Sequence, residues 1–525
     1  MKEQRPPSIL LCALFSLLLI AVLFALQGRI GLDLMDEGFQ WYGSLQTAHG
    51  GIPLRDFYAY DPGRYLWAAA WSWVLGDGIV ALRLSTAAFA AIGLTLGLLA
   101  VRRVTANRVA LALAGALLAL WMFPRHKLFE PTIAMAAVLV ALRLIEEPSR
   151  RRHFAAGALV GVAAFFGKNH GLYTFLAFLG LVLFLHFRID RGRLGERSLA
   201  LGGGIAAGSI PLLAMMVFVP GFLGSYVDSI LFFLTQGRTN NPLPVPWPWR
   251  VSYADVSLFE GTHRFALGLA FLLLPVFCVV AAAFAVTANR ESLRRRAPLL
   301  AAAFVALLYL HHAMVRADAP HLGQSIHPVL LGLLALPLAI SPERRLPAVT
   351  LKVCLSALLV FLTVFAALPE SPFVRRLARE RNGEPYVRAE IGGDPLSLPS
   401  ETAALLSGVQ AAVAARVAPG EPLLILPYYP GLYPVTGHVS PVWNTYLTWP
   451  DKGGSDERMI REIREHRVRW ALVGDHDGHG GFGFRTSHPV LVDFLTRHFA
   501  PIPTPGLPPG FLLLREADEG ALSLR

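Results

Sequence analysis

Residues 32–63 read LDLMDEGFQWYGSLQTAHGGIPLRDFYAYDPG. They stand between one apolar run, 9–28, and another, 79–101. Asp33, Asp36, Glu37, Arg55, Asp56 and Asp61 are gathered in this stretch. An apolar run of about 18 residues or more is long enough to cross a bilayer. A loop that collects charge between two such runs is therefore a polar site at a membrane surface.

The rest of the chain fits that reading. Of 525 residues 54% are hydrophobic and only 16% charged, with a mean hydropathy of +0.49. Soluble domains carry about 25% charged residues. The formal net charge is +11. The excess Lys and Arg lie in short clusters between apolar runs, where the positive-inside rule puts them, so no nucleic acid is implied as partner. Cys12, Cys278 and Cys354 all fall inside apolar runs, form no CxxC motif and read as small core residues. The first run exceeds the usual signal-peptide core of about 7–15 residues. With ALQG a poor cleavage site, a retained helix is expected there.

About eleven spans are expected, near 9–28, 79–101, 108–124, 130–145, 154–168, 171–187, 198–220, 264–288, 298–315, 325–341 and 347–368. The gaps between them fall into two alternating classes. One is basic and plain: MKEQR, RRVTANR, EEPSRRRH, FRIDRGRLGER, NRESLRRR and SPERR. The other comprises 29–78, 125–129, 168–170, 221–263, 316–324 and everything after 369. The basic class is expected in the cytoplasm with the N-terminus, the other class outside it. Residues 62–75, rich in Trp and Tyr, are too short to span and are expected as a helix at the interface.

The expected fold is thus a polytopic α-helical membrane protein, 1–369, whose first outer loop is 29–78. A small extracytoplasmic α/β domain, 370–525, follows it. In that domain helix-like SETAALLSGVQAAVAARV precedes strand-like EPLLILPYY, DERMIREIREHR precedes VRWALVGD, and PVLVDFLTRHF leads to GFLLLRE. No short-period repeat and no phosphate-binding glycine loop in a strand-to-helix context is present, which argues against ATP or NAD chemistry. LGGGIAAG, 201–208, lies within a span, where Gly serves close helix packing.

On this topology the unusual polar residues gather outside. PRHKLFEP brings Arg125, His126, Lys127 and Glu130, and GKNHG brings Lys168, Asn169 and His170. TQGRTNNP adds Arg238, Asn240 and Asn241, and HHAMVRADAPHLGQ adds His311, His312, Arg316, Asp318 and His321. Carboxylates in one loop and cations in four others would suit an anion with an apolar tail. Charges in a bilayer are costly and mark function by default.

MDEGF after the first span, then GGIPLRDF, then DPGRYL entering the next helix, resemble the first loop of GT-C membrane glycosyltransferases. The closest similarity is to bacterial members of the protein-mannosyltransferase-like group, glycosyltransferase family 39 and relatives. RADAPHL before a late span also resembles a loop of that group. The sharp part covers about 35 residues, the arrangement residues 1–370. The resemblance implies a polyprenyl-phosphate sugar as donor, an acceptor outside the cytoplasm, and a first-loop carboxylate as general base. That role maps onto Asp36, with Glu37 beside it. It further implies cations that stabilise the leaving phosphate, for which Arg125, Lys127, Lys168 and Arg316 are candidates.

Each residue also has a plain structural reading. Asp36 could be an N-cap of the helix DEGFQWYGSLQTAHG, Asp33 a loop residue, and Asp61 a cap before Pro62. Asp56 either pairs locally with Arg55 or shapes the site, and Arg64 is either an interfacial anchor or a phosphate ligand. Lys168 and the run 125–127 could simply snorkel or flank a turn, and Arg316 could pair with Asp318. Asp318 with His321 has metal-ligand chemistry, but two ligands are too few to define a site, and a divalent metal ion stays open. DHDGHGG, 475–481, reads as a strand-exit turn, and NNPLPVPWPW, 240–249, as an extended loop on the interface. The rival functions are a transporter or flippase of lipid-linked glycans and a non-catalytic envelope assembly protein. The first tends to carry internal repeats and midplane charges, and the second leaves the loop carboxylates unexplained.

Overall fold

A computed structural model describes residues 7–188, 191, 193–237, 240–340, 345–475, 477–478 and 482–517. The helices in order are α1 (Ile9–Gln27), α2 (Asp36–Ala48), α3 (Pro62–Leu75), α4 (Ile79–Val101), α5 (Arg108–Leu120), α6 (Phe129–Glu146), α7 (Arg150–Phe166) and α8 (Lys168–Arg188). They continue with α9 (Leu194–Gly208), α10 (Ile210–Phe218), α11 (Phe222–Gln236), α12 (Leu258–Val286), α13 (Arg290–Val315), α14 (Ala319–Ser325), α15 (His327–Ala339) and α16 (Arg345–Leu362). Every expected span is helical. Among the described residues, six helices are long and apolar enough to cross a membrane, or eight if the bent pairs α9–α10 and α14–α15, each kinked by 54°, count as one span each. That is fewer than eleven for local reasons. Helix α5 has 13 residues, α7 has 17 and opens on three arginines, and α6 carries Glu130, Arg143 and Glu146 in its 18.

The chain forms two compact units: Met1–Gly28, Arg83–Met215 and Pro242–Arg375 in one, and Arg29–Leu82, Met216–Asn241 and Arg376–Arg525 in the other. They interleave along the sequence.

The first unit is a bundle of apolar helices. In α1 Cys12, Ser16 and Ile20, spaced by four, form the buried stripe, and leucines cover the other faces. Such an exposed leucine surface suits lipid, and the build is that of a multi-pass membrane protein. Of the cysteines Cys12 is buried, but Cys354 is exposed on α16, so it is not the core residue expected. Side-chain caps start several helices: Asn107 accepts from Val109 N at 2.8 Å, and Asn289 and Ser292 form a capping box on α13. Helices α7 and α9 touch backbone to backbone. A Cβ on Gly157 would lie 2.0 Å from Leu201 O, and one on Gly204 2.0 Å from Phe154 O. Gly161 and Gly208 repeat the contact one turn on. The close packing expected of 201–208 belongs to Gly204 and Gly208, since Gly202 faces open space. The loop PVPWPW lies against α12, where a Cβ on Gly268 would meet Pro246 O at 2.2 Å, and Trp247 stacks on Trp249 at 5.2 Å.

The second unit holds the first loop, α2, α3, α11 and the C-terminal part. The latter adds helices α17 (Pro372–Arg381, begun in the first unit), α18 (Ser400–Ala414), α19 (Leu432–Thr436), α20 (Ser455–Glu465), α21 (Phe484–Ser487) and α22 (Pro489–His498). Its strands are β1 (Tyr386–Ile391), β2 (Asp394–Pro399), β3 (Leu423–Leu426), β4 (Trp470–Gly474), β5 (Asp477–Gly478), β6 (Phe482–Gly483), β7 (Phe499–Pro501) and β8 (Phe511–Glu516). The main sheet runs β3-β4-β8-β7, with β3 parallel to β4 and the other pairs antiparallel. All of β3, LLIL, is buried, as a strand covered on both faces must be. Met459 and Ile463, four apart on α20, close one side of its core.

The first loop belongs to this unit because its backbone is bonded into it. Gly31 N donates to Ser397 O and Ser397 N to Arg29 O, both at 2.8 Å. Asp394 Oδ2 accepts from Val80 N at 2.8 Å. The hairpin β1–β2 thus grips both ends of residues 30–80. Trp443 Nε1 donates to Leu54 O at 3.0 Å, and Tyr58 N to Trp443 O at 2.8 Å.

Candidate functional site

Helix α2 begins at Asp36, with Met35 at the cap position, so Asp36 is not the N-cap the sequence suggested. Its carboxylate Oδ1 accepts a hydrogen bond from the hydroxyl of Tyr428. Tyr428 is buried, and its ring packs edge-on to Tyr446 at 4.4 Å. Tyr446 is hydrogen-bonded to Tyr428 and to Tyr60. Phe39, one turn along α2, touches Tyr60 at 4.9 Å and Tyr446 at 4.8 Å. Asp36 thus sits on a nest of tyrosines. Burial, then the neighbouring charges, push the Tyr60 and Tyr428 phenols well above their ordinary range, so they stay neutral donors.

Two more carboxylates lie beside it. Asp33 Oδ1 accepts from Met35 N at 2.9 Å, the loop role expected of it. Glu37 is 1% exposed, and its Oε2 accepts from Asp33 N at 3.4 Å. Glu37 therefore faces into the fold, whereas Asp36 is half-buried. Burial first, then the charges of Asp36 and Glu37, raise Asp33 from 3.8 to about 7. A folded state that holds this proton longer than the unfolded chain loses stability as pH rises from about 4 to about 7. Asp33→Asn removes that loss. The variant should gain on wild type in melting temperature across this window and hold the gain above it, as tryptophan-detected melts at stepped pH would show. Parallel pH curves for the two proteins would contradict it.

Arg55 and Asp56 form a two-point ion pair, Nε to Oδ1 at 2.7 Å and Nη2 to Oδ2 at 2.9 Å. Asp56 also accepts from Ile52 N at 2.8 Å, and Arg55 Nη1 reaches Pro220 O at 3.2 Å. The local pair closes the turn, and the hydrogen bond from Arg55 holds the Asp56 carboxyl below its ordinary value. This is the local pair that the adjacency of the two residues allowed. Asp61 stands at the N-cap of α3 before Pro62 but makes no side-chain cap bond. Arg64 is buried with its guanidinium 5.5 Å from the Tyr60 ring centroid, which is not the place of an interfacial anchor.

Arg125, His126, Lys127, Lys168, Arg316, Asp318 and His321 lie in the first unit. Arg125, His126 and Lys127 form one 3-10 turn, in which Arg125 Nη1 donates to Gln27 O at 3.3 Å and His126 is buried. Lys168 opens α8 rather than closing the helix before it. Asp318 caps α14: Oδ1 accepts from His321 N at 2.9 Å and meets His321 Nδ1 at 2.6 Å, while Oδ2 accepts from Arg316 Nε at 2.7 Å. Both carboxylate oxygens of Asp318 are thus engaged by Arg316 and His321, a cap and ion pair in place of the metal-ligand pair considered. Among the described residues no group of three or more His, Cys, Asp or Glu is placed to hold a metal ion. His312 lies between His170 and His321, ring centroids 5.3 and 5.4 Å apart, and its Nε2 meets Gln324 Oε1 at 3.2 Å. Asn241 donates to Thr448 O at 3.1 Å in the second unit. Arg238, His476 and His479 lie outside the described residues.

Sequence reasoning missed Tyr428, Tyr446, Tyr60 and Asp394. The available signal was slight: a tyrosine pair between prolines, PYYP, at the end of a wholly apolar strand.

No protein-family model and no curated protein sequence matches the chain. Among solved structures it is similar to ArnT from Cupriavidus metallidurans bound to undecaprenyl phosphate, with 16% identity, 97% of this chain and 98% of that chain covered, and a TM-score of 0.54. The apo state of ArnT aligns with 15% identity over the same shares at 0.45. An oligosaccharyltransferase from Archaeoglobus fulgidus, in complex with Zn and sulfate, aligns with 12% identity over 94% of this chain and 71% of that chain at 0.46. The first alignment carries the fold, which is that of the GT-C class of membrane glycosyltransferases.

Proposed function

We propose that this chain, built on the GT-C fold, is a glycosyltransferase. It moves a sugar from a polyprenyl-phosphate donor to an acceptor outside the cytoplasm, a lipid, glycan or protein. The observation that carries the reading is Asp36: a half-buried first-loop carboxylate held by a hydrogen bond from a buried tyrosine. The undecaprenyl phosphate bound to ArnT supports the donor class.

In the reaction the acceptor hydroxyl attacks the anomeric carbon and gives its proton to Asp36. The carbon–oxygen bond to the lipid phosphate breaks, and its electron pair leaves with the phosphate. Arg125, Lys127, Lys168 and Arg316 are the proposed stabilisers of that charge. A single displacement inverts the anomeric centre. The protein works in the plasma membrane with its N-terminus cytoplasmic and residues 370–525 outside, as the charge pattern of the gaps supports.

The test is release of free polyprenyl phosphate. Purified protein in lipid is supplied with a panel of polyprenyl-phosphate sugars and acceptor-containing membranes. Release with at least one donor is expected. Failure with every donor, in folded and inserted protein, would overturn the reading in favour of a transporter or assembly protein.

A further inference from the structure

Tyr428 is far from the first loop in sequence, yet the fold fixes it against Asp36 from several sides. It lies on the turn 427–431 that follows β3. Gly431 N in that turn donates to Leu34 O at 2.9 Å. A Cβ on Gly38 would lie 2.6 Å from Gly431 N and Cα, so the start of α2 and the turn meet at backbone contact. The Tyr428 ring is wedged against Tyr446, and the hairpin β1–β2 grips the loop ends through Ser397 and Asp394.

We infer that the C-terminal part of the chain completes the catalytic centre, with Tyr428 as a positioning residue whose hydroxyl orients the Asp36 carboxylate and keeps it ionised. This rests on the proposed role of Asp36 as base. The charge of Glu37, next to Asp36 in α2, and that of Asp33 once it ionises, disfavour a further negative charge beside them. A donor aimed at Asp36 offsets that. Tyr428, Tyr446 and Tyr60 face Asp36 from the C-terminal part and the first loop, and each feels its charge. A neutral phenol donates to a carboxylate without taking its proton, so the base keeps its function while its orientation is set.

Tyr428→Phe keeps the ring and removes the donor. With the full chain in lipid, kcat/KM should fall about ten- to hundredfold below neutral pH, the rate equivalent of one hydrogen bond to a charged group. The acidic limb of the pH–rate profile should move up by about one to two units, and the loss should shrink at high pH, where the base is ionised without help. A merely structural tyrosine would lower the rate equally at every pH, and that result would overturn the inference. A thermal-stability cycle of Asp36→Ala, Tyr428→Phe and the double variant needs no turnover. Non-additive melting shifts are expected from the contact, and additive shifts would overturn it. Coupled shifts in a protein whose wild type releases no polyprenyl phosphate would instead sink the glycosyl-transfer reading, and with it the catalytic part of this inference.

Discussion

Asp36→Asn is expected to abolish sugar transfer while leaving the protein folded. The side-chain carbonyl of Asn still accepts the Tyr428 hydroxyl at the start of α2, so geometry is kept and only proton affinity is lost. A positioned general base contributes typically about 10²–10⁴-fold, and a fall of that order in released polyprenyl phosphate is the expected reading. Donor binding should persist, because the carboxylate acts on the acceptor proton rather than on the lipid phosphate. Turnover equal to wild type would place the base elsewhere. Glu37 is the sequence neighbour, but it is 1% exposed and bonded towards Asp33 N, which makes it a poor substitute.

Gly204→Leu is expected to have the largest effect on stability. Its first added atom would lie 2.0 Å from Phe154 O and 2.9 Å from Ala158 N, both backbone atoms of α7 that no rotamer change can move. Overpacking a core by side-chain atoms costs about 1–3 kcal/mol. Here two helices must separate along a seam shared with Gly157, Gly161 and Gly208, so the cost lies at or beyond the upper end. Gly202→Leu, two residues away, meets nothing within 4 Å and exchanges a poor helix former for a good one. Melting in detergent with a size-exclusion check should show Gly204→Leu aggregated or strongly destabilised and Gly202→Leu close to wild type. Equal behaviour would mean that the two helices do not meet as described.

Much of the fold was readable from residue patterns because the bilayer imposes a long-range rule on short stretches: apolar runs become helices wherever backbone groups have no other partner. The helices α1, α4, α8, α12 and α13 follow from that alone. The C-terminal alternation of helix and strand was legible for the same kind of reason, since the amphipathic MIREIRE and the apolar LLIL announce their periods. Three of the eleven expected spans, α5, α6 and α7, are shorter or more charged than the helices that are apolar enough to cross a membrane by length and composition. The hairpin β1–β2 went unread because RNGEPYVRAEIGGDPLSLP is polar, and only its pairing reveals it as a clamp.

At the candidate site the division is similar. The resemblance of the first loop to that of GT-C glycosyltransferases pointed to Asp36 as the candidate base, and the adjacency of Arg55 and Asp56 allowed a local pair. The environment of Asp36 was not readable, because Tyr428 reaches it from 392 positions along the chain. Asp318 and His321 illustrate the converse. Spacing alone allowed them to bind a metal, and the structure spends the same atoms on a helix cap and an arginine.

By itself the sequence determined a membrane-embedded helical chain and a charged first loop, because these follow from hydropathy and local order. The tertiary structure decided which carboxylate is buried, which is held by a tyrosine, and that the first loop is built into the C-terminal part. The physical reason is that burial, hydrogen bonding and charge repulsion depend on distance in space, and the contacts that fix them here join residues hundreds of positions apart.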